Sequence, residues 1–165
     1  MARHSTRLAR LPGTAAPPLI PPPASRLRLR PDGTGRGIMD GGWWPRSRDA
    51  AAELPELVIT LAERLGAATR LTIDFDDWDH VPLRITALRR VIRVGWLPHL
   101  DHMVAVSSGR DEPLLLLVIP PGTPRARAEE ALGRAAAGTG DTPWEILASC
   151  DVSTVIGDHH DRLVR

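Results

Sequence analysis

Hydrophobic and polar residues alternate with a period of two in several short stretches, which is the pattern of a half-buried β-strand. In the first stretch Leu27 and Leu29 share one face, and the arginines around them share the other. Ile38 and Met39 are predicted to form the return strand of a hairpin. The run 114–119 is apolar on both faces and predicts a central strand. The other predicted strands cover residues 71–75, 83–87, 91–96 and 103–106.

A first helix is predicted where apolar residues recur at helical spacing. Ser47 is its predicted N-cap, and Asp49 lies in the first turn, where the helix dipole favours an anion. Pro55 predicts either a kink or two helices, over 48–53 and 55–65. The apolar stripe consists of Leu54, Leu57, Val58, Leu61 and Leu65.

A second helix is predicted over residues 124–137, with Pro124 in its first turn and small residues along one face. Thr142 and Glu145 have the spacing of a capping box, which predicts a short third helix. Because the connections between the predicted strands are short, antiparallel pairing is favoured. The sequence therefore predicts an α+β fold, with a mainly antiparallel sheet of about six strands and two helices packed on one face.

Proline usage suggests where the domain begins. Six of the 16 prolines precede residue 25, so residues 1–24 are predicted to be a disordered tail rich in Pro and Arg. Residues 25–138 are predicted to form a single α+β domain. A short helix and a poorly ordered C-terminal tail are predicted for residues 139–165.

The charge is unevenly distributed along the chain. All 21 basic residues are arginine, which favours the codon usage of a GC-rich genome over the alternative, recognition of phosphate or carboxylate groups. Residues 1–30 hold six Arg and no acid, whereas the rest of the chain holds fifteen Arg and twenty acids. Such a negative body disfavours a core that binds duplex nucleic acid. Contact with nucleic acid through the basic N-terminal tail is kept as an alternative.

Cysteine usage and hydropathy suggest a cellular compartment. Cys150 is the only cysteine, so no disulfide can form within the chain, and a reducing, cytoplasmic location is predicted. The N-terminus lacks the apolar run of a secretory signal, and no segment reaches membrane-spanning length. The sequence therefore predicts no membrane partner.

The densest polar cluster lies between residues 74 and 80. Its four carboxylates and one imidazole could hold a hard cation. An EF-hand is excluded, because Asp79 stands where Gly is required and Ile85 where Glu is required. A solvated acidic turn with Trp78 beneath it is favoured, and a metal-dependent enzyme is the alternative. The metal ligands of that alternative are Asp74, Asp76, Asp77, Asp79 and His80.

Two adjacent indoles follow a glycine pair in the string D-G-G-W-W-P-R-S-R-D, residues 40–49. In extended backbone Trp43 and Trp44 face opposite ways, so one is predicted in the core and the other beside a shallow groove. Arg46 and Arg48 are close enough in sequence to stack on an exposed ring. With the arginines of the first strand, they predict a cationic, aromatic patch for acidic peptides, phosphates or single-stranded nucleic acid.

No complete catalytic set can be found. The nucleophile pattern G-x-S-x-G is absent, and Cys150 has no local activating motif. A zinc pair of His99 and His102 is disfavoured, because Pro98 favours an extended backbone that points them to opposite faces. The predicted function is a non-catalytic binding or regulatory module without a cofactor, which binds a protein or a small anionic ligand through Trp43, Trp44, Arg46 and Arg48.

Five strings together resemble a known domain family. They are L-R-L-R-P-D-G at 27–33, the tryptophan string at 40–49, E-L-P at 53–55, D-D-W-D at 76–79, and the apolar strand ending in P-P at 114–121. The combination resembles an actinobacterial family of domains of unknown function, over about residues 25–137. The resemblance implies an actinobacterial source and a compact domain, and it implies no activity.

Overall fold

The computed structural model describes residues 25–31, 37–109 and 112–153. The predicted tail 1–24 and the residues from 154 onward lie outside these ranges. The described strands are β1 Leu27–Leu29, β2 Gly41–Trp43, β3 Arg70–Ile73, β4 Arg84–Ala87, β5 Arg90–Trp96, β6 Met103–Ser107 and β7 Leu114–Val118. The described helices are α1 Ala50–Leu65, α2 Arg125–Ala137 and α3 Pro143–Ser149, with a 3₁₀ turn at Phe75–Asp77.

The fold is α+β, and within the described residues its seven strands form one sheet in the order β1-β2-β7-β6-β3-β5-β4. Neighbouring strands are antiparallel at four borders, and they are parallel between β2 and β7 and between β3 and β5. The sheet is therefore mixed, which corrects the predicted mainly antiparallel sheet of about six strands. Short connections misled the prediction, because the two parallel pairs, β2 with β7 and β3 with β5, join strands that are not consecutive in the chain.

The helices cover opposite faces of the sheet, so the prediction that two helices share one face was wrong. Helix α1 packs on the face that carries Leu71, Leu116 and Trp43. Helices α2 and α3 pack with Trp44 and Leu117 on the other face. Since both of its faces are covered, β7 needs apolar residues at every position, as the run 114–119 predicted.

The N-cap of helix α1 lies two residues later than predicted, and the helix continues through its proline. Asp49, not Ser47, is the N-cap, and its side chain accepts a hydrogen bond from the Ala51 amide. Pro55 lies inside the unbroken helix. The carbonyl that loses its donor belongs to Ala51, which is exposed, so solvent can hydrate it. Gly66 ends the helix at φ 73°, as its position predicted.

The return strand of the N-terminal hairpin begins three residues later than predicted. It consists of Gly41, Gly42 and Trp43, and Gly41 lies so close to β1 that a Cβ there would overlap the Arg28 carbonyl. At Gly42 an added Cβ would lie 3.1 Å from the Ala135 Cβ of α2. The glycines let β1 and α2 approach this strand closely, and the hydrophobicity of the pair 38–39 could not reveal that.

Candidate functional site

A cavity of about 500 Å³ lies between the acidic turn that follows β3 and the loop that follows β7. We call it the His102 cavity. Its polar and charged lining residues are Ser47, Arg48, Asp76, Asp77, His102, Thr123, Arg127, Asp151 and Ser153. Trp78, Val118 and the prolines 45, 120, 121 and 124 supply the apolar part of its wall.

Asp74 shapes the turn beneath the cavity. It caps the 3₁₀ turn by accepting a hydrogen bond from the Asp76 amide, at 3.2 Å. Its second oxygen accepts from the His102 amide at 3.3 Å. Because β3 and β6 pair antiparallel, with Ile73 opposite Val104, the end of one strand meets the residue that precedes the other. This register places His102 beside the acidic turn.

Asp77 and His102 form a partly buried ion pair. The distance from Asp77 Oδ1 to His102 Nδ1 is 2.9 Å, and the two side chains are 14% and 18% exposed. Burial raises the pKa of the Asp77 carboxyl, because desolvation penalises its charged form. The hydrogen bond that the His102 imidazole donates to the Asp77 carboxylate raises the pKa of His102. The pair therefore holds its proton on the imidazole to higher pH than an isolated histidine does.

Asp74, Asp77 and His102 bring one ligand atom each to within 4.8 Å of one another. The structure thus joins two of the five predicted metal ligands and adds a histidine that the prediction placed elsewhere. Asp76 and His80 are exposed and outside the trio. Asp79 instead pairs with Arg48, with 3.2 Å between Oδ1 and Nε. Only the non-sequential pairing of β3 with β6 could have indicated His102.

Several buried polar atoms around the cavity make no hydrogen bond. Within the described residues four buried side-chain N or O atoms have no partner, and three of them belong to Arg48, Asp77 and Trp78. The three atoms are Arg48 Nε, Asp77 Oδ2 and Trp78 Nε1. Arg48 Nε lies 3.2 Å from Asp79 Oδ1, which is an ion-pair distance, but the two atoms do not have hydrogen-bond geometry. All three residues line the His102 cavity. The site thus concentrates two donors and one acceptor that lack partners.

The two adjacent indoles are both buried, although both also border a concavity, so neither of them offers an exposed ring on which Arg46 or Arg48 could stack. Trp43 is 5% exposed and Trp44 is 6% exposed, on opposite faces of the sheet. Arg26 rather than Arg46 or Arg48 lies over an indole, with its Cζ 4.1 Å from the centre of the Trp44 ring. Arg46 pairs with Glu56 at 2.7 Å.

Trp43, Trp44 and Arg46 border a second concavity of about 500 Å³ on the other side of this junction. It also contains Glu53 and Glu56, so its charges are largely paired within the domain. Of the four residues of the predicted binding set, Arg48 alone lines the His102 cavity. The set is therefore divided between two surfaces.

A sequence model of the family DUF5994, described as a family of unknown function, matches residues 26–135 of this chain. The chain belongs to DUF5994. No curated protein and no solved structure matches it. The DUF5994 match includes the tryptophan string, the acidic turn and His102, so most of the cavity wall lies within the family region.

Part of the site lies beyond the DUF5994 region. Trp144 of α3 stacks on the His102 ring, with 6.3 Å between ring centres and 18° between ring planes. Asp151 pairs with Arg127 at 2.8 Å and closes one side of the cavity. This DUF5994 member therefore completes its site with residues C-terminal to the family match.

Among the described residues, no helix combines the length and apolarity needed to cross a membrane.

Proposed function

We propose that this DUF5994 domain is a non-catalytic binding module whose ligand occupies the His102 cavity. The observation that carries the proposal is the concentration of unpartnered buried atoms of Arg48, Asp77 and Trp78 around one cavity. A buried polar atom without a partner costs about 1–3 kcal/mol. These atoms have almost no exposed surface, so a ligand reaches them when the side chains of the cavity wall shift on binding, and the new hydrogen bonds then recover part of this free energy.

The chemistry of the unpartnered atoms supports a class of ligand. Arg48 Nε and Trp78 Nε1 are donors, so they favour a ligand with an acceptor such as a carboxylate. Asp77 Oδ2 is an acceptor and favours a neighbouring hydroxyl or amine. A small acid with an adjacent donor, such as an α-hydroxy acid or an amino acid, satisfies both requirements. The cavity volume of about 500 Å³ lies within the usual range for small-molecule sites.

The charges of the wall fit the same class. Arg48, Arg127 and His102 are basic, whereas Asp76, Asp77 and Asp151 are acidic. A wall with both signs suits a ligand that carries an anionic group beside a donor better than it suits a simple anion. The small anionic ligand predicted from the sequence is thereby narrowed to an acid with a donor next to it.

The remaining sequence predictions about partners and location stay proposals. A protein partner that contacts Trp43, Trp44 and Arg46 would bind at the second concavity, because these residues border it. There the charge of Arg46 is already paired with Glu56. Contact with nucleic acid concerns residues 1–24, which lie outside the described residues. Cys150 is a buried free thiol, which is compatible with the proposed cytoplasmic location.

Thermal-shift and tryptophan-fluorescence titrations with a panel of amino acids and α-hydroxy acids test the proposal. For a compound that binds, we expect Asp77→Asn and Trp78→Phe each to weaken affinity about tenfold, the equivalent of one lost hydrogen bond to a charged group. The controls are Asp101→Asn and Trp96→Phe, which make the same chemical changes at residues outside the wall of the His102 cavity. Binding that is unchanged in D77N and W78F, or a panel without a binder, contradicts the proposal.

A second candidate function, a divalent metal site, rests on the closeness of Asp74, Asp77 and His102. The 2.9 Å between Asp77 Oδ1 and His102 Nδ1 also suits two ligands of one zinc ion, each about 2 Å from the metal. A metal would replace the proton that the pair shares. Thermal shifts with Zn²⁺ and Mn²⁺, lost in D77N and kept in D76N, would support this candidate; equal shifts in both variants would exclude it.

A further inference from the structure

One half of the sheet has a face that no described helix covers. Along β3, β4 and β5 alternate residues pack against α1, among them Leu71, Ile85 and Ile92. The intervening residues point to the other face, on which α2 and α3 cover the half formed by β1, β2 and β7. The intervening residues on the uncovered half are Arg70, Thr72, Arg84, Thr86, Val91, Arg93 and Gly95.

Three arginines form a row across this open half. Strand register places Arg70 opposite Arg93 on one side, and Arg84 opposite Arg93 on the other. Adjacent strands lie about 4.8 Å apart, so the three side chains leave the sheet within a span of about 10 Å. We call Arg70, Arg93 and Arg84 the arginine row.

The arginine row lacks counter-charges within the described residues. All three side chains are exposed, and none of them makes an ion pair or a side-chain hydrogen bond to another described residue. By contrast, Arg30 and Arg46 each pair with a carboxylate. Like charges directly opposite each other on a sheet destabilise it. The row is thus an unbalanced positive site on a flat face.

We propose that the arginine row binds a short acidic segment of a partner protein. A guanidinium pairs with a carboxylate through two parallel hydrogen bonds, and a row of three can hold successive acidic side chains of an extended segment. The residues that flank the row are Thr72, Thr86, Val91 and Gly95. They are small, so an extended chain can approach the face.

Two observations favour an acidic protein segment over a nucleic acid. The described residues of this face include no aromatic ring on which a base could stack. The chain after residue 30 holds twenty acids against fifteen arginines, so a long polyanion meets net repulsion. A short acidic segment can lie entirely within about 8 Å of the arginine row. Physiological salt screens charges that are farther away than this, so the negative charges elsewhere on the domain repel the segment only weakly.

Binding of a fluorescein-labelled hexaglutamate peptide to the full chain, followed by fluorescence anisotropy, tests the proposal. We expect binding that weakens as NaCl is raised, and hexaglutamine should not bind. Arg93→Glu should weaken hexaglutamate binding at least about tenfold, and Arg93→Gln less, because the central charge faces both neighbours. Thermal unfolding of each variant verifies that it is folded.

Arg90→Glu is the matched control, because Arg90 is an exposed arginine of the same strand that lies next to Val58 and Ile92 on the α1 side. It should leave hexaglutamate binding unchanged. Equal weakening by R90E and R93E, or no binding of hexaglutamate at low salt, would overturn the proposal. Tighter, R93-dependent binding of a single-stranded oligothymidylate would overturn the assignment to a protein segment. D77N should leave hexaglutamate binding intact, so the outcome is independent of the His102 cavity.

Discussion

Trp43 and Trp78 stack with their ring centres 5.5 Å apart and their planes 29° apart. Trp43 ends the second strand, and Trp78 follows the acidic turn, so this contact joins the tryptophan string to the wall of the His102 cavity. Trp44, the next residue after Trp43, packs in the other apolar cluster. The indoles that interact are therefore distant in sequence, and the adjacent ones are separated by the sheet.

This arrangement predicts which tryptophan substitutions are coupled. In a double-mutant cycle of Trp43→Leu and Trp78→Leu, which removes the aromatic pair, we expect a coupling of about 0.5–1.5 kcal/mol in the free energy of unfolding. Trp44→Leu combined with Trp78→Leu should be additive to within about 0.5 kcal/mol, because the two rings lie on opposite faces. Urea unfolding of the six proteins measures both. Equal coupling energies in the two cycles would show that the stack of Trp43 on Trp78 is not the source of the coupling.

The ion pair of Asp77 with His102 predicts a pH-dependent stability. The pKa of His102 is raised above 6.5, so its contribution is fully present below that pH and is lost as the pH rises through the raised pKa. The pKa of Asp77 is raised above its ordinary value of 3.8, so this carboxyl also lowers the free energy of unfolding as the pH rises from 3.8 through the raised pKa. Wild type should therefore exceed His102→Gln in unfolding free energy by more at about pH 6 than at about pH 9.

Urea unfolding at both pH values measures this difference, and an NMR titration of His102 checks the direction of the pKa shift. His99→Gln is the control, since His99 is exposed and has no ion-pair partner among the described residues. It should leave the pH profile as it is in wild type. A His102 that titrates below pH 6.5 in the folded protein would refute the expectation.

The glycines of the second strand predict a graded response to alanine. At Gly41 a Cβ meets the Arg28 backbone, which cannot move without breaking strand pairing, so we expect Gly41→Ala to destabilise by about 3 kcal/mol or more. At Gly42 the nearest atoms are side chains of Ala135 and Leu132, at 3.1 and 3.2 Å, and about 1–2 kcal/mol is expected.

Gly95→Ala serves as the control for both, because its nearest non-local atom lies 4.0 Å from an added Cβ. It should change the unfolding free energy by less than about 0.5 kcal/mol. Thermal or urea unfolding measures the series. If G95A destabilises as much as G41A does, strand propensity rather than close approach explains the glycines.

Asp49 predicts a local effect at the start of the long helix. Its side chain accepts from the Ala51 amide at 3.0 Å, so Asp49→Ala should lower the unfolding free energy by about 1 kcal/mol. Asp49→Asn keeps an acceptor in the same place and should lose only a few tenths of a kcal/mol. Urea unfolding distinguishes the two. Identical losses in D49A and D49N would show that charge, rather than capping, matters there.

Local features of the fold were predictable because they depend on neighbours in sequence. The first strand, the central apolar strand and the capping box of Thr142 and Glu145 all occur where their patterns predicted them. The cap of the long helix was misplaced by two residues, since Ser47 and Asp49 are both good N-caps and tertiary contacts decide between them. Ser47 instead donates to Glu53 at 2.9 Å.

The candidate site was only half predictable for the opposite reason. Asp74 and Asp77 were found because they lie in one short cluster. His102 lies beside them because β6 pairs with β3, although the β4–β5 hairpin separates these two strands in the sequence. No local sequence pattern encodes that pairing. The burial of Trp44 likewise depends on α2, whose face of the sheet the sequence did not indicate.

The parallel pairing of Gly41–Trp43 with Leu116–Val118 has a consequence for biosynthesis. The N-terminal hairpin has no neighbouring strand until the ribosome has released residue 118, so the domain cannot close while most of it is still being made. Such long-range closure makes folding slow compared with helical proteins of the same size. During that interval Trp44 lacks α2 and α3, the helices that cover it, so its indole is accessible to a chaperone.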